Sequence, residues 1–314
     1  MFFKNAVLLA MMLVLLAAAG FAADNYTFNF LRNDVSARAS ALGGSFITMS
    51  NDPNLIFYNP AGLGTLSGRK ASFGYFKNLL DINSGHASYA TEIQGLGFIG
   101  AGVTYTNYGS FQETDATGQQ TGTFGANEAA FSMGYGNKLQ ENLFYGAAAK
   151  FIYSNIAGYS STGAAIDLGV HYVALPGRII LGASVANLGT QFNPYISTRE
   201  NLPLDVKVGM RLMPEHLPAI LLFEIHKIND AQDKFVSHLN AFTIGMEYSA
   251  SENFCLRFGY NNQQRQDYKI LSGSGLAGIS LGAGLMAQPY TFDYSFNSMG
   301  SIGALHRVTV GIGF

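Results

Sequence analysis

Tryptophan is absent from this 314-residue chain, and cysteine occurs once, at Cys255. A lone cysteine excludes an intramolecular disulfide and any cysteine-built zinc cluster. Charge is sparse as well. Asp, Glu, Lys and Arg make up 12% of the residues, the formal net charge is −2, and like charges form no block. Such a chain offers nucleic acid no basic surface, so nucleic acid is excluded as a partner class. After residue 22 no run of 18 apolar side chains occurs, so no helix built from the remaining sequence could cross a bilayer. The histidines, at 86, 171, 216, 226, 238 and 306, lack both the His-Glu-x-x-His spacing and any paired spacing. Metal binding finds no support, and no cofactor is expected.

What the chain does hold is glycine and aromatic residues: 37 Gly, 17 Tyr and 24 Phe. With so little charge, that mixture points to many strands and little helix. At the N-terminus, Lys4 precedes an apolar run over 6–18, and the small residues Gly20 and Ala22 stand at the spacing of a secretory cleavage site. Residues 1–22 therefore read as a signal peptide. The alternative, a membrane anchor, would need about 20 apolar residues in a row. No cysteine lies near the cleavage site to carry a lipid.

From Lys70 onward apolar residues stand two apart, with small or polar residues between them. Ile166, Leu168, Val170 and Tyr172 would face one way and Asp167, Gly169 and His171 the other, because strand side chains alternate. Val206, Val208, Met210 and Leu212 likewise oppose Asp205, Lys207 and Arg211. Phe254, Leu256, Phe258 and Tyr260 oppose Cys255 and Arg257, and Tyr290, Phe292, Tyr294 and Phe296 oppose Asp293. A soluble sandwich and a membrane barrel share this alternation, inverted in space. Connection lengths separate them. About 14 strands can be counted, centred near residues 74, 89, 102, 132, 149, 168, 182, 208, 222, 244, 257, 280, 293 and 310. Connections after even-numbered strands are short, whereas 107–127, 187–203, 227–239 and 262–273 are long and polar. Short turns on one side and long loops on the other mark an all-β, transmembrane antiparallel β-barrel in the bacterial outer membrane, its outer face against lipid. Tyrosines near strand ends suit an interfacial belt. The chain ends on Phe314 after an alternating strand, as outer-membrane barrels commonly do, which makes Phe314 the candidate insertion signal.

The expected organisation is thus a signal peptide over 1–22, a separate segment over 23–68 and the barrel over 69–314. The middle segment lacks alternation and carries Ser36 to Gly44, rich in small residues, then Asn59-Pro60-Ala61-Gly62. Folding back into the lumen as a plug or hatch is the expectation, with a tail on the short-turn side as the alternative. Arg38 could then meet inward carboxylates. Asp167, His171, Asp205, Lys207, Arg211, Arg257 and Asp293 are the candidate lumen polar groups, with His171 expected to pair with Asp167 and Lys207 with Asp205. Two motifs are coincidental. Gly95, Gly97 and Gly100 fit a dinucleotide fingerprint but run into a strand, and Gly278 to Gly282 fit a nucleophile elbow without the helix it requires.

Several blocks carry a family resemblance. Phe28 to Leu31, Ser36-Ala37-Arg38, Ala41-Leu42-Gly43-Gly44, Asp52 and Asn59-Pro60-Ala61 are followed by Tyr108-Gly109, Thr121-Gly122-Thr123-Phe124, Ile152-Tyr153-Ser154-Asn155, Asn187-Leu188-Gly189-Thr190-Gln191 and Arg257-Phe258-Gly259-Tyr260-Asn261. Over essentially the whole mature chain this resembles the PorV/PorQ family of outer-membrane proteins, and within it the PorQ branch of the type IX secretion system. The Asn-Pro-Ala element is shared with FadL-type transporters of hydrophobic compounds, whose 14-stranded barrel with an N-terminal hatch that family resembles. The resemblance implies a non-enzymatic component that anchors a surface attachment complex, with PorZ-, PorU- and PorV-like proteins as partners through the outer loops 107–127 and 187–203. The alternative it leaves open is a FadL-like passive transporter of hydrophobic small molecules. A membrane hydrolase using Ser280 ranks last.

Overall fold

The computed structural model describes residues 26–77, 82–229, 240–268 and 275–314; residues 1–25, which include the expected signal peptide over 1–22, and parts of the connections at 78–81, 230–239 and 269–274 lie outside these. Fourteen strands form one closed antiparallel barrel, each paired with its neighbour in sequence. They are β1 (Lys70–Lys77), β2 (Asn83–Ile93), β3 (Gly97–Thr114), β4 (Gln120–Gln140), β5 (Leu143–Ile156), β6 (Tyr159–Leu175) and β7 (Ile179–Asn193). The circle continues through β8 (Asp205–Leu212), β9 (Ala219–Ile225), β10 (Phe242–Ser249), β11 (Phe254–Asn261), β12 (Ile279–Ala287), β13 (Tyr290–Ser298) and β14 (Ala304–Gly313). It closes where Lys70 pairs with Gly313 and Lys77 with His306. All fourteen expected centres fall within these strands.

The alternation sets the two faces. Phe73, Leu256, Leu281 and Val308 are about half exposed on the outside, while Ser72, Asp167, Arg257 and Thr309 are buried within. An apolar exterior around a charged interior inverts the order of a soluble sandwich and matches a barrel whose solvent is lipid. Val206 is an exception. It points with the outer set yet is fully buried, because Leu204 and Ile228 cover it and its partner Val185.

Connections on the Phe314 side are short, as at 94–96, 141–142 and 288–289. On the other side one expected loop is largely strand and another begins as strand. Residues 107–127, read as a loop, form the upper part of β3 and β4, and β7 runs on to Asn193 within 187–203. A tilted transmembrane strand needs about 9–11 residues. β3 has 18 and β4 has 21. Their neighbours β2 and β5 pair with them only as far as Asn107 and Ala126, so residues 108–125 stand clear as a two-stranded ribbon. Asp115 turns its tip by accepting from the Thr117 and Gln119 backbone amides, and Phe111 stacks on Phe124 at 5.3 Å.

Residues 26–69 run through the inside of the barrel. They begin at the long-loop rim, where Tyr26 bridges Asn201, and end at the short-turn rim, where Phe314 donates its amide to the Arg69 carbonyl. The core of the molecule lies between this segment and the inner wall. Leu42, Phe46, Ile47, Met49 and Leu55 pack with Leu222; Ile56 and Leu63 pack with Ala90 and Ala148; Phe28 and Phe30 pack with Ile152 and Ala165.

Candidate functional site: the inner segment and the wall that receives it

Four short helical turns, the first a 3-10 turn over Asn29–Arg32, give the inner segment its path. Ser36 caps α1 (Ala37–Ala41) by accepting from the Ala39 amide. Asp52 caps a 3-10 turn over Pro53–Phe57, and Asn59 caps another over Pro60–Thr65, each with proline at its start, where a missing amide leaves no bond unmade. Asn59 does more than cap. Its side-chain amide donates to the Ile47 carbonyl at 2.8 Å and to the Val170 carbonyl of the wall at 3.2 Å. Asn59, Pro60, Ala61 and Gly62 are all buried. Replacing Asn59 with Ala removes a cap worth about 1 kcal/mol and leaves two buried carbonyls short of a donor, about 1–3 kcal/mol more. We therefore expect Asn59→Ala to speed proteolysis within 26–66 while the folded barrel band on an unheated gel persists.

The wall is built to receive this segment. An added Cβ at Gly146 would fall on the Pro60 carbonyl carbon and the Ala61 nitrogen, and one at Gly259 on the Gly43 nitrogen. Both meet backbone, which cannot rotate away. α1 is all small residues apart from Arg38, so its backbone approaches β11 to β14 closely. The Ala37 amide donates to Thr309 at 2.9 Å, and Ser40 donates to Asn297 at 2.6 Å.

Charge crosses the same contact. Arg38 forms a two-pronged bond to Glu247, at 2.9 and 2.7 Å, and reaches Asp52 at 3.3 Å. Arg257 donates to Glu247 and to Asp293, both at 2.7 Å. The result is a buried chain of alternating sign, Asp52, Arg38, Glu247, Arg257, Asp293, that joins the inner segment to β10, β11 and β13. Arg307 donates to Ser40 at 2.7 Å and lies over the Phe76 ring.

Sequence reading brought some of these groups together and mispaired one. Lys207 meets Asp205 at 3.3 Å, and Arg211 donates to Ser50 at 3.1 Å. Asp167 does not pair with His171. Four residues along a strand is about 13 Å, and Asp167 instead takes Lys150 at 2.7 Å and the Asn187 amide at 2.8 Å. A bulge there, with Asn187 in the left-handed region, aims that amide at the carboxylate. His171 is buried across from Gly182. Phe314 is 70% exposed at the short-turn rim. Glu247, Lys150 and Arg307 were not singled out, although each is a lone charge at an inward position of its strand.

The segment divides the interior. On the long-loop side is a cavity of about 350 Å³ lined by Arg32, Asp34, Tyr58, Lys207, His226 and Arg307. Burial raises the Asp34 carboxyl above its ordinary range, and the charges of Arg307 and Lys207 draw it back down in part. On the short-turn side is one of about 280 Å³ beside Arg38, Asn51, Asp52, Glu247, Arg257 and Thr291. Phe30, Leu31, Val35, Phe57 and Phe76 line a third, of about 30 Å³. Among the described residues, no group of three His, Cys, Asp or Glu side chains is placed to hold a metal ion.

The architecture recurs among solved structures. The toluene transporter TbuX of Ralstonia pickettii superimposes with a TM-score of 0.61 at 14% identity, over 91% of this chain and 98% of that one. This chain is a bacterial outer-membrane β-barrel. The barrel is also similar to the Pseudomonas putida toluene transporter TodX (TM-score 0.58, 15% identity, 93% and 97% covered). A Pseudomonas aeruginosa FadL homologue gives a TM-score of 0.56 at 10% identity, with 89% and 98% covered. At these identities the likeness is one of fold. No protein-family model and no curated protein sequence matches the barrel, so the PorV/PorQ resemblance finds no support among the comparisons.

Proposed function

We propose that the protein is a FadL-like passive route for hydrophobic small molecules across the outer membrane, with residues 36–66 as its gate. The observation that carries this is the division of the lumen. Two cavities, one toward each rim, lie on opposite sides of the inner segment, and that segment is held to the wall by glycine seats, apolar packing and hydrogen bonds, with no covalent cross-link among the described residues. Displacing it would join them. The apolar cavity of about 30 Å³ is smaller than the roughly 300 Å³ of an ordinary ligand site, so passage requires that movement. The shared fold with hydrocarbon transporters supports the reading.

The test is uptake of toluene, and separately of a fatty acid, into proteoliposomes. Uptake above that of protein-free liposomes, altered by Asn59→Ala or Pro60→Ala, is the expected outcome. Uptake equal to that of empty liposomes for both compounds would overturn it.

The ribbon favours a second reading, a scaffold for surface proteins of the PorZ, PorU and PorV kind. The stacked pair Phe111 and Phe124 is held beyond the span a bilayer accounts for, and both ribbon edges lack a neighbouring strand. Under this reading a barrel purified from its native host brings a surface subunit with it, and replacing 110–123 by a two-residue turn releases that subunit with the barrel intact.

A further inference from the structure

The charges around the two inner cavities are arranged differently. On the short-turn side Arg38, Glu247, Arg257 and Asp293 close into direct pairs, each at 2.7 Å. In the cavity of about 350 Å³ on the long-loop side, two charges stay apart. Among the described residues, no Lys, Arg or His nitrogen lies within 4.0 Å of the Asp34 carboxylate, and no carboxylate oxygen lies within 4.0 Å of the Arg307 guanidinium. Both nevertheless line this cavity, and the charges of Arg307 and Lys207 act on Asp34. Lys207 is already taken by Asp205, at 3.3 Å.

Neutral neighbours fix each charge in place. The Tyr58 hydroxyl accepts from the Val35 and Ser36 amides at 2.7 and 3.4 Å, which pins the backbone beside Asp34. Arg307, 6% exposed, donates through Nη1 to Ser40 and Asn297 at 2.7 and 2.8 Å, and its guanidinium carbon lies 4.5 Å from the centre of the Phe76 ring. Its Nε is buried without an acceptor. A buried donor without an acceptor is unfavourable, and so is a buried charge without a counter-charge. Both are relieved by a ligand that carries the complement, and groups already held in position leave little ordering to be done when it binds.

We propose that this cavity binds a small zwitterion, its anionic group on Arg307 of the wall and its cationic group on Asp34 of the inner segment. The lining fits that class. Four Lys or Arg and three Asp side chains contribute to it, a near balance that favours a molecule neutral overall over a polyanion or a polycation. Leu31, Phe57 and Phe76 add apolar surface for a short methylene spacer. The size falls within the about 300–1,000 Å³ of ordinary ligand sites. Solvent reaches the cavity, since Asn33 and Asp267 in its lining are exposed. The proposal does not rest on passage of hydrophobic molecules through the lumen.

The test is calorimetric titration of the mature barrel in detergent, in mildly alkaline buffer that keeps carboxylates charged. Glycine, β-alanine and γ-aminobutyrate serve as zwitterions of growing charge separation, with butyrate and butylamine as the two halves. At least one zwitterion should bind about tenfold more tightly than either half, the worth of one charge-assisted hydrogen bond. Asp34→Asn should reduce that zwitterion to the affinity of butyrate, and Arg307→Gln should lose both. Because Asp34 has no partner to strand, the Asp34→Asn barrel should unfold at the wild-type temperature or above, which loss of a structural ion pair would not allow. Should Arg307→Gln fail to fold, Asp34→Asn decides the matter. Zwitterions that bind no more tightly than butyrate and butylamine, unchanged binding in Asp34→Asn, or a lower unfolding temperature for that variant would each overturn the proposal.

Discussion

A barrel carrying Gly146→Val and Gly259→Val is expected to conduct ions as an open pore in a planar bilayer, while the wild type stays near the baseline. The two positions seat the two halves of the inner segment, Pro60-Ala61 and Leu42-Gly43, and at both a side chain would occupy the place of backbone atoms. The strand pairing around each glycine is complete, so the wall keeps its ladder. Overpacking of a fitted contact costs about 1–3 kcal/mol at each site even where side chains can shift, and here backbone would have to move. Eight strands close on their own side chains, whereas 16 to 18 leave an aqueous channel. Fourteen strands lined with serine, threonine and charged groups, once emptied, should hold water. A folded double variant with wild-type conductance would show that the segment does not close the lumen.

Arg257→Met should have the largest effect on stability. Its guanidinium is 4% exposed and serves both Glu247 and Asp293. Removing it leaves Asp293 charged and without its partner and Glu247 with Arg38 alone, and breaking a buried ion pair costs about 3–5 kcal/mol. We expect the variant barrel to unfold at a clearly lower temperature than the wild type. Arg257→Met combined with Asp293→Asn should recover part of the loss, because the second substitution discharges one stranded carboxylate. An unchanged unfolding temperature in the single variant would mean that the buried chain contributes nothing to holding β10, β11 and β13.

Much of the barrel could be read from parity alone. Apolar side chains two apart place Phe254, Leu256 and Phe258 outside and Arg257 inside, and turn length orients the whole. What parity cannot give is partner choice. Asp167 and His171 share a face, but a strand's rise keeps them apart, and the bulge that brings Asn187 to Asp167 depends on a neighbour strand's backbone. The ribbon was missed because glycine, threonine and glutamine dominate 108–125, and a strand with neither face buried carries no apolar alternation to detect. Val206 misled for a related reason, since part of its cover, Ile228, comes from a residue distant along the chain. The small residues of Ser36 to Gly44 and the Asn59-Pro60 turn did announce close packing. The glycines that receive them, scattered over β5, β6, β11 and β12, look like ordinary strand glycines until the barrel closes.

The central claim is the solvent assignment of the two faces, and the lack of tryptophan makes it directly measurable. Phe292 points outward from β13 and Thr291, its neighbour at the same depth, lines the inner cavity on the short-turn side. In bilayers of phospholipid brominated on its acyl chains, the fluorescence of Phe292→Trp should be strongly quenched and that of Thr291→Trp should not. Equal quenching of the two, or quenching of Thr291→Trp alone, would contradict a barrel with lipid outside and its charged face enclosed.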